Sequence, residues 1–189
     1  LGLTGTSVFN SIGSASSNNM FHYSSGDLVD GFSFSVSYVP SGTGEIESST
    51  DMAIEYTGFD GLTVGFGMAE TEETTGTVID DSTMYAKYTY GSLTIGYQIG
   101  ESDGPTSATD IDFEGLGLTY AVTDDFTIGY STSEIDKASD TDVQEATAIG
   151  ASYTSGGITV GGSMNSVDNV GYDASADRDG YEFNIAFAF

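Results

Sequence analysis

His22 is the only histidine in this chain of 189 residues, and the chain has no cysteine. A zinc-type site needs several His or Cys ligands, so this composition offers none. Nucleophilic catalysis needs a nucleophile beside a base, and nothing around His22 resembles such a motif. His22 is therefore interpreted as a polar side chain of a protein wall, and no enzymatic activity is expected.

Carboxylates are the other groups that could do chemistry. The chain has 29 Asp and Glu against three cationic residues, Lys87, Lys137 and Arg178, for a formal net charge of −26. Proteins that bind nucleic acid neutralise its phosphates with Lys and Arg, so a nucleic-acid partner is excluded. A negative field of this size raises the local concentration of cations. The sequence thus favours a surface or a pore that attracts cations.

Most carboxylates fall in segments predicted as long loops. This set comprises Glu70, Glu72, Glu73, Asp80, Asp81, Glu101, Asp103, Glu134, Asp136, Asp140, Asp142, Asp168, Asp173, Asp177 and Asp179. The simplest interpretation is a solvated surface. Because hard cations take carboxylate oxygens, Ca²⁺ or Mg²⁺ bridging is a second interpretation, although 136–145 lacks EF-hand spacing. No cofactor is expected to be required.

The segments that carry these residues alternate apolar and polar side chains with a period of two. The pattern is clearest in 31–40, 61–70, 91–100, 125–133 and 156–165, and weaker in 19–25, 50–57, 82–90, 111–122, 146–154 and 180–189. About eleven β-strands are therefore predicted, each near the length that crosses a bilayer when tilted. No segment of similar length has the 3.6-residue period of a helix.

The predicted connections alternate between long and short. The long ones are 40–50, 70–82, 100–110, 134–145 and 165–179; the short ones are 58–61, 90–92, 123–125 and 155–157, with 25–31 somewhat longer. In an up-and-down barrel, every second connection lies on the same rim. Short turns on one rim and long loops on the other are typical of outer-membrane barrels.

The two faces of these strands favour a membrane barrel over a soluble β-sandwich. The polar face is mostly Ser, Gly, Thr and Ala, with few of the charged residues that keep soluble sheets apart. Aromatic residues sit beside the short turns and the C-terminus (Tyr23, Phe32, Tyr56, Phe59, Tyr88, Tyr90, Tyr120, Phe126, Tyr153, Phe187, Phe189) and toward the long loops (Tyr38, Phe66, Tyr97, Tyr130, Tyr181, Phe183). Two aromatic girdles around an aliphatic middle are typical of a lipid-facing band.

Strand parity predicts which charged residues face the polar, lumenal side. They are His22, Asp51, Glu55, Lys87, Glu114 and Glu182. Glu114 takes this side, together with Asp112, only if a β-bulge at Gly115 explains the change of parity along 111–122. Lys87 on the lipid face would cost about 2–4 kcal/mol at mid-membrane. Whether Lys87 tunes the charge of a pore or pairs with a neighbouring carboxylate is left open.

The chain also resembles a known family. Residues 181–189, YEFNIAFAF, are similar to the C-terminal signal of outer-membrane barrels, with alternating aromatics and a terminal Phe189. Residues 18–39, NNMFHYSSGDLVDGFSFSVSYV, look like the strand pair that follows the constriction loop of Gram-negative general diffusion porins, of the alphaproteobacterial type. The resemblance covers most of 19–189.

This resemblance implies a sixteen-stranded barrel. Residues 1–189 would form a single domain and would be the C-terminal part of that barrel. Residues 1–18 would be the tail of the constriction loop, although they lack the acidic residues usual there. If 3–10 is also a strand, about twelve strands could close alone. Residue 1 is not Met and no signal peptide is visible, so a processed or truncated N-terminus is expected.

The expected function is an outer-membrane porin for passive diffusion of small hydrophilic solutes, with a preference for cations. The resemblance implies a homotrimer in the outer membrane of a Gram-negative bacterium, surrounded by lipid. A smaller self-contained barrel that acts as a surface adhesin, a receptor or an enzyme is the alternative. Small polar residues on the inner face favour the channel, because a closed anchor fills its lumen with larger side chains.

Overall fold

The computed structural model describes residues 20–26, 29–40 and 46–188, and these residues form one antiparallel sheet. Its eleven strands are β1 (Phe21–Ser24), β2 (Phe32–Val39), β3 (Ile46–Phe59), β4 (Leu62–Glu73), β5 (Val78–Tyr90), β6 (Leu93–Asp103), β7 (Ile111–Ala121), β8 (Phe126–Lys137), β9 (Gln144–Ser155), β10 (Ile158–Asp168) and β11 (Arg178–Phe187). The eleven predicted strands are confirmed. The stretch 1–18, interpreted above as the tail of a constriction loop, lies outside the described residues.

Each strand pairs only with its neighbours in sequence, from β1 to β11. Within the described residues the sheet is not closed, because β1 pairs with β2 alone and β11 with β10 alone. The up-and-down, all-antiparallel order predicted from the connections is confirmed. No helix in the described ranges is both long enough and apolar enough to span a membrane.

One rim carries tight turns and the other carries longer connections. Residues 60–61, 91–92, 122–125 and 156–157 join strands on the first rim, which we call the short rim. Residues 74–77, 104–110, 138–143 and 169–177 do so on the second, the long rim. The long connections are shorter than predicted, because the strands run further toward the long rim than the apolar pattern does.

Gly61 shows why the short rim is tight. It turns the chain from β3 into β4 with φ +75°, a left-handed backbone conformation that costs other residues about 1–2 kcal/mol. A Cβ atom at this position would also run into the carbonyl group of Thr89 on β5. The Gly61 carbonyl accepts the N–H of that same Thr89 at 2.8 Å.

The apolar face of the sheet is exposed along its whole width. In the row Ile95, Leu118, Tyr130, Ile149, Met164 and Tyr181, each residue lies directly opposite the next. Tyr181 is 91% exposed and Met164 68%. A contiguous exposed apolar surface marks a face that contacts something other than water. At the short rim, Phe32 packs on Tyr56 with ring centroids 4.5 Å apart, and aromatic residues are enriched at a membrane interface.

Toward the long rim the polarity of the two faces inverts. On β8, Glu134 and Asp136 continue the face of Tyr130, whereas Ile135 is on the opposite face. On β7, the Glu114 side chain is on the face of Leu116, and Phe113 is on the other and buried. The period of two is kept while apolar and charged side chains exchange faces.

This inversion corrects the bulge predicted at Gly115. The register between β6 and β7 runs without a shift from Ser102 opposite Ile111 to Leu93 opposite Tyr120, and that between β7 and β8 is equally regular. Glu114 therefore lies on the apolar face and not on the lumenal side predicted for it. The parity change reflects a change of surroundings along a regular strand, because the strand end leaves the band in which apolar side chains face outward.

Candidate functional site

The candidate site is the face opposite the apolar one, which we call the polar face. It is built mainly of Ser, Gly, Thr and Ala, such as Ser131 and Gly129 on β8 and Ala148 and Gly150 on β9. These side chains are shielded although they are small: Ser131 is 2% exposed. Crowding on this face and exposure on the other are what a sheet curled toward the polar face produces.

Five of the six residues selected from the sequence lie on the polar face. His22 on β1 is opposite Ser37, and its Nδ1 is 3.1 Å from the Ser37 hydroxyl oxygen. Lys87 on β5 is opposite Thr63 and Gly96, and no ion pair joins it to another described residue. The remaining three are Asp51, Glu55 and Glu182. Glu114 is the exception, as described above.

Asp51 has a carboxylate neighbour that the sequence reasoning assigned to a loop. Asp51 on β3 lies opposite Ala69 on β4, and Ala69 lies opposite Asp81 on β5. Two strand spacings of about 4.8 Å separate the two backbones. Because the strand extends through 78–81, the parity of Tyr85 continues to Asp81 and brings it to the polar face. Continuing the parity of Tyr85 along the strand was the signal in the sequence that could have assigned Asp81 to the polar face.

Glu182 is at the other edge of the sheet. It lies opposite Ser163 on β10, and its Oε1 accepts a hydrogen bond of 3.4 Å from the Asn184 side-chain amide. Negative charge on the polar face is therefore spread from β3 to β11. Lys87 is a positive charge among these carboxylates, and it lies in the same cross-strand row as Thr63 and Gly96.

Tyr85 is a site residue that the sequence did not single out. Glu55, Gly65 and Tyr85 lie directly opposite one another on β3, β4 and β5. The Tyr85 hydroxyl donates a hydrogen bond to Oε2 of Glu55, so the phenol side chain reaches across β4. Only the strand register brings these three residues together, and a single sequence does not reveal it.

A recess of about 290 Å³ opens beside this arrangement. Small residues line most of it: Ser24, Ser33, Ser35, Ala53 and Thr83, with Glu55 and Tyr85 at its side. Phe34, Ile54, Phe66 and Gly67 complete the lining, so the recess combines hydroxyl groups and one carboxylate with apolar surface.

The longest connection on the long rim is fastened to its neighbour. In 169–177, the Asn169 side-chain amide donates to the Val143 carbonyl at 2.7 Å, and the Gly171 N–H donates to Oε1 of Gln144 at 2.9 Å. The Lys137 ammonium lies 5.4 Å from the centre of the Tyr172 ring. These contacts therefore hold 169–177 against the neighbouring connection between β8 and β9 at the long rim.

Two loop carboxylates are stabilised in their charged form. The Lys137 ammonium, 3.1 Å away, and the Ser139 hydroxyl hold the pKa of Asp140 below its ordinary value. The backbone N–H and the hydroxyl of Ser175 hold the pKa of Asp173 below its ordinary value in the same way. Both carboxylates lie in connections on the long rim, so each effect is local to its loop.

Acidic residues also border the apolar face at the long rim. They include Glu70, Glu72, Asp80, Glu101, Asp103, Asp112, Glu114, Glu134, Asp136, Glu145 and Asp168. Among the residues that the structure describes, no three His, Asp or Glu side chains come together to hold a metal ion. Bridging of these acids by Ca²⁺ stays a prediction.

The fold and its two faces define the class: an outer-membrane β-barrel with an apolar outside and a polar inside. A family model described as Gram-negative porin matches residues 1–147. The chain therefore belongs to the Gram-negative porin family and to the bacterial outer membrane. No curated protein sequence matches it.

Solved porins share the fold at low sequence identity. An anion-selective porin from Comamonas acidovorans is 14% identical, with a TM-score of 0.75 over 91% of this chain and 60% of that one. Salmonella typhi OmpF, in a complex with daunomycin, is 15% identical, with a TM-score of 0.72 over 89% of this chain and 61% of that one. A triple mutant of Rhodopseudomonas blastica porin is 23% identical, with a TM-score of 0.61 over 90% and 56%. The chain thus spans about three fifths of the length of these porins.

Proposed function

We propose that this chain forms most of the wall of a porin channel through which small hydrophilic solutes diffuse passively. The observation that carries the proposal is the continuous polar face of small side chains across eleven strands, backed by an equally continuous apolar face. The first face suits water and the second suits lipid. The channel works without catalysis or a bound cofactor, and membership of the family supports a homotrimer in the outer membrane.

The channel prefers cations. Asp51, Glu55, Asp81 and Glu182 bring four carboxylates to the polar face of the described strands, where Lys87 is an isolated positive charge. A wet lumen removes the desolvation cost that buried carboxylates would have. The Comamonas acidovorans porin is described as anion-selective, but at 14% identity it shares the fold alone.

Reversal potentials across a salt gradient test this proposal. The full-length protein is inserted in planar bilayers and measured at low and at high salt. Because many of the acids are exposed, the cation preference is expected to be clear at low salt and to shrink as the Debye length falls from about 10 Å at 0.1 M to about 3 Å at 1 M. Anion preference at low salt contradicts it.

A pair of matched variants separates wall charge from surface charge. Asp51→Asn together with Asp81→Asn removes the two carboxylates that flank Ala69. Asp124→Asn together with Asp125→Asn removes two from a turn on the short rim. The first pair is expected to reduce the cation preference more than the second. Equal effects contradict a role for wall charge.

A further inference from the structure

The Tyr85 side chain lies against the polar face of the sheet, over Gly65, where only a glycine leaves room for its ring. A Cβ atom added to Gly65 would lie 2.5 Å from Cζ and 2.8 Å from the hydroxyl oxygen of Tyr85. Real Cβ atoms essentially never approach so closely, so the ring occupies the volume that any side chain at position 65 would need. Glu55 accepts the hydrogen bond of the hydroxyl and holds the far end of the ring over β4.

Gly67, the next glycine on the same face of β4, provides the comparison. A Cβ atom there would lie 3.5 Å from Cγ2 of Thr83, an ordinary van der Waals contact. The requirement for glycine is thus specific to position 65 and arises from Tyr85. The two glycines share a strand, a face and a backbone conformation, and they differ in the side chain that lies above them.

We propose that Gly65 sets the open cross-section of the channel, because it lets Tyr85 lie flat on the wall instead of standing in the lumen. The inference rests on the proposed channel function. With a side chain at position 65, the ring has to leave β4 and turn either into the neighbouring recess of about 290 Å³ or toward the lumen axis. Both are lumen space, so either outcome removes area through which solutes pass.

Glu55 has two separable roles in this arrangement. Its charge contributes to the negative wall, and its carboxyl oxygen holds the ring of Tyr85 down. Glu55→Gln removes the charge and keeps an oxygen that accepts the phenol hydrogen bond. Glu55→Ala removes both. The wall-lying ring therefore depends on position 55 through hydrogen bonding, and the ion preference depends on it through charge.

Sugar permeation tests the proposal with an internal correction for folding. Full-length protein is reconstituted in liposomes, and the ratio of the swelling rates in a disaccharide and in a monosaccharide is measured. This ratio does not depend on how many channels have inserted. Gly65→Ala is expected to lower the ratio and the single-channel conductance, whereas Gly67→Ala changes both far less. Glu55→Ala is expected to lower the ratio more than Glu55→Gln does.

A double variant decides whether Tyr85 is the cause. Tyr85→Ala removes the ring, so Gly65→Ala added to it is expected to have no further effect on the ratio. A decrease that persists in the Tyr85→Ala background overturns the proposal, as do equal effects of Gly65→Ala and Gly67→Ala. If the unmodified protein neither conducts ions nor swells liposomes, the channel function itself fails and this inference fails with it.

Discussion

Glu134 on β8 lies directly opposite Glu145 on β9, and both side chains project from the apolar face at the long rim. The row continues on either side, with Glu114 opposite Glu134 and Asp168 opposite Glu145. Like charges directly opposite each other destabilise a sheet. Four adjacent strands thus carry a row of mutually repelling carboxylates immediately beyond the lipid-facing band.

Neutralising one such pair is expected to stabilise the sheet. Glu134→Gln together with Glu145→Gln should raise the unfolding free energy of the full-length protein by about 0.2–1 kcal/mol. The increase is measured as a higher urea midpoint for the protein in lipid vesicles at low salt. The gain should shrink at high salt, since screening already weakens the repulsion. Asp124→Asn, in a turn on the short rim, serves as the control. A gain that is independent of salt contradicts the repulsion.

Lys87 and Lys137 are expected to affect ion preference differently. Lys87→Gln removes an isolated cation from the wall and should shift the reversal potential toward stronger cation preference. Lys137→Gln removes a cation at the end of β8 that is paired at 3.1 Å with Asp140 of the exposed connection 138–143, where salt screens its effect. At high salt the shift should persist only in Lys87→Gln. Equal shifts at all salt concentrations would argue against a wall position for Lys87.

Gly61 is expected to be the more costly of two turn glycines to replace. Gly61→Ala places a Cβ atom against the Thr89 carbonyl in addition to the left-handed cost of about 1–2 kcal/mol. Gly91→Ala has the left-handed cost at φ +57°, but no atom lies within 4 Å of its added Cβ. Urea unfolding of the two variants measures the difference. A smaller loss for Gly61→Ala would contradict the close approach of β5.

Loop 169–177 is expected to respond to pH through Asp173. The pKa of Asp173 is held below the ordinary value of about 3.9. The stabilisation that the charged Asp173 carboxylate contributes is therefore present above that value and is lost as the pH falls through the folded-state pKa. Ser175→Ala removes one of the two donors and should raise the pH at which the Asp173 carboxyl titrates, followed by NMR. Ser139→Ala acts on Asp140 instead and should leave this titration unchanged. An unaltered Asp173 titration in Ser175→Ala would rule out the hydroxyl as a donor.

Strand positions followed from the sequence because the period of two is a local property. Lys87 was assigned to the polar side from parity alone, and the structure places it there, opposite Thr63 and Gly96. The fate of Glu114 did not follow, because parity assumes one environment on each side of a strand. The strand carrying Leu116 and Glu114 passes from lipid into a polar layer, and the expected polarity of the outer face reverses there.

Relations between strands were beyond the sequence for a different reason. Glu55, Gly65 and Tyr85 are spaced ten and twenty residues apart, and any of several registers would satisfy the apolar pattern. The lengths of the connections at 60–61 and 74–77 select the registers of β3 with β4 and of β4 with β5, and with them the contact of Tyr85 with Gly65. A residue whose role depends on its cross-strand neighbour therefore appears only in the folded sheet.

The exchange of faces toward the long rim also fixes how deeply the protein is immersed. Met84 and Ile99 lie in the same cross-strand row as Glu114, Glu134 and Glu145, so the oblique row passes from hydrocarbon into the polar layer as it crosses the sheet. Moving the barrel along the membrane normal by one cross-strand row would bring carboxylates into hydrocarbon in one direction and would expose Met84 to water in the other. Where a bilayer is too thick or too thin, the lipid has to deform around the protein.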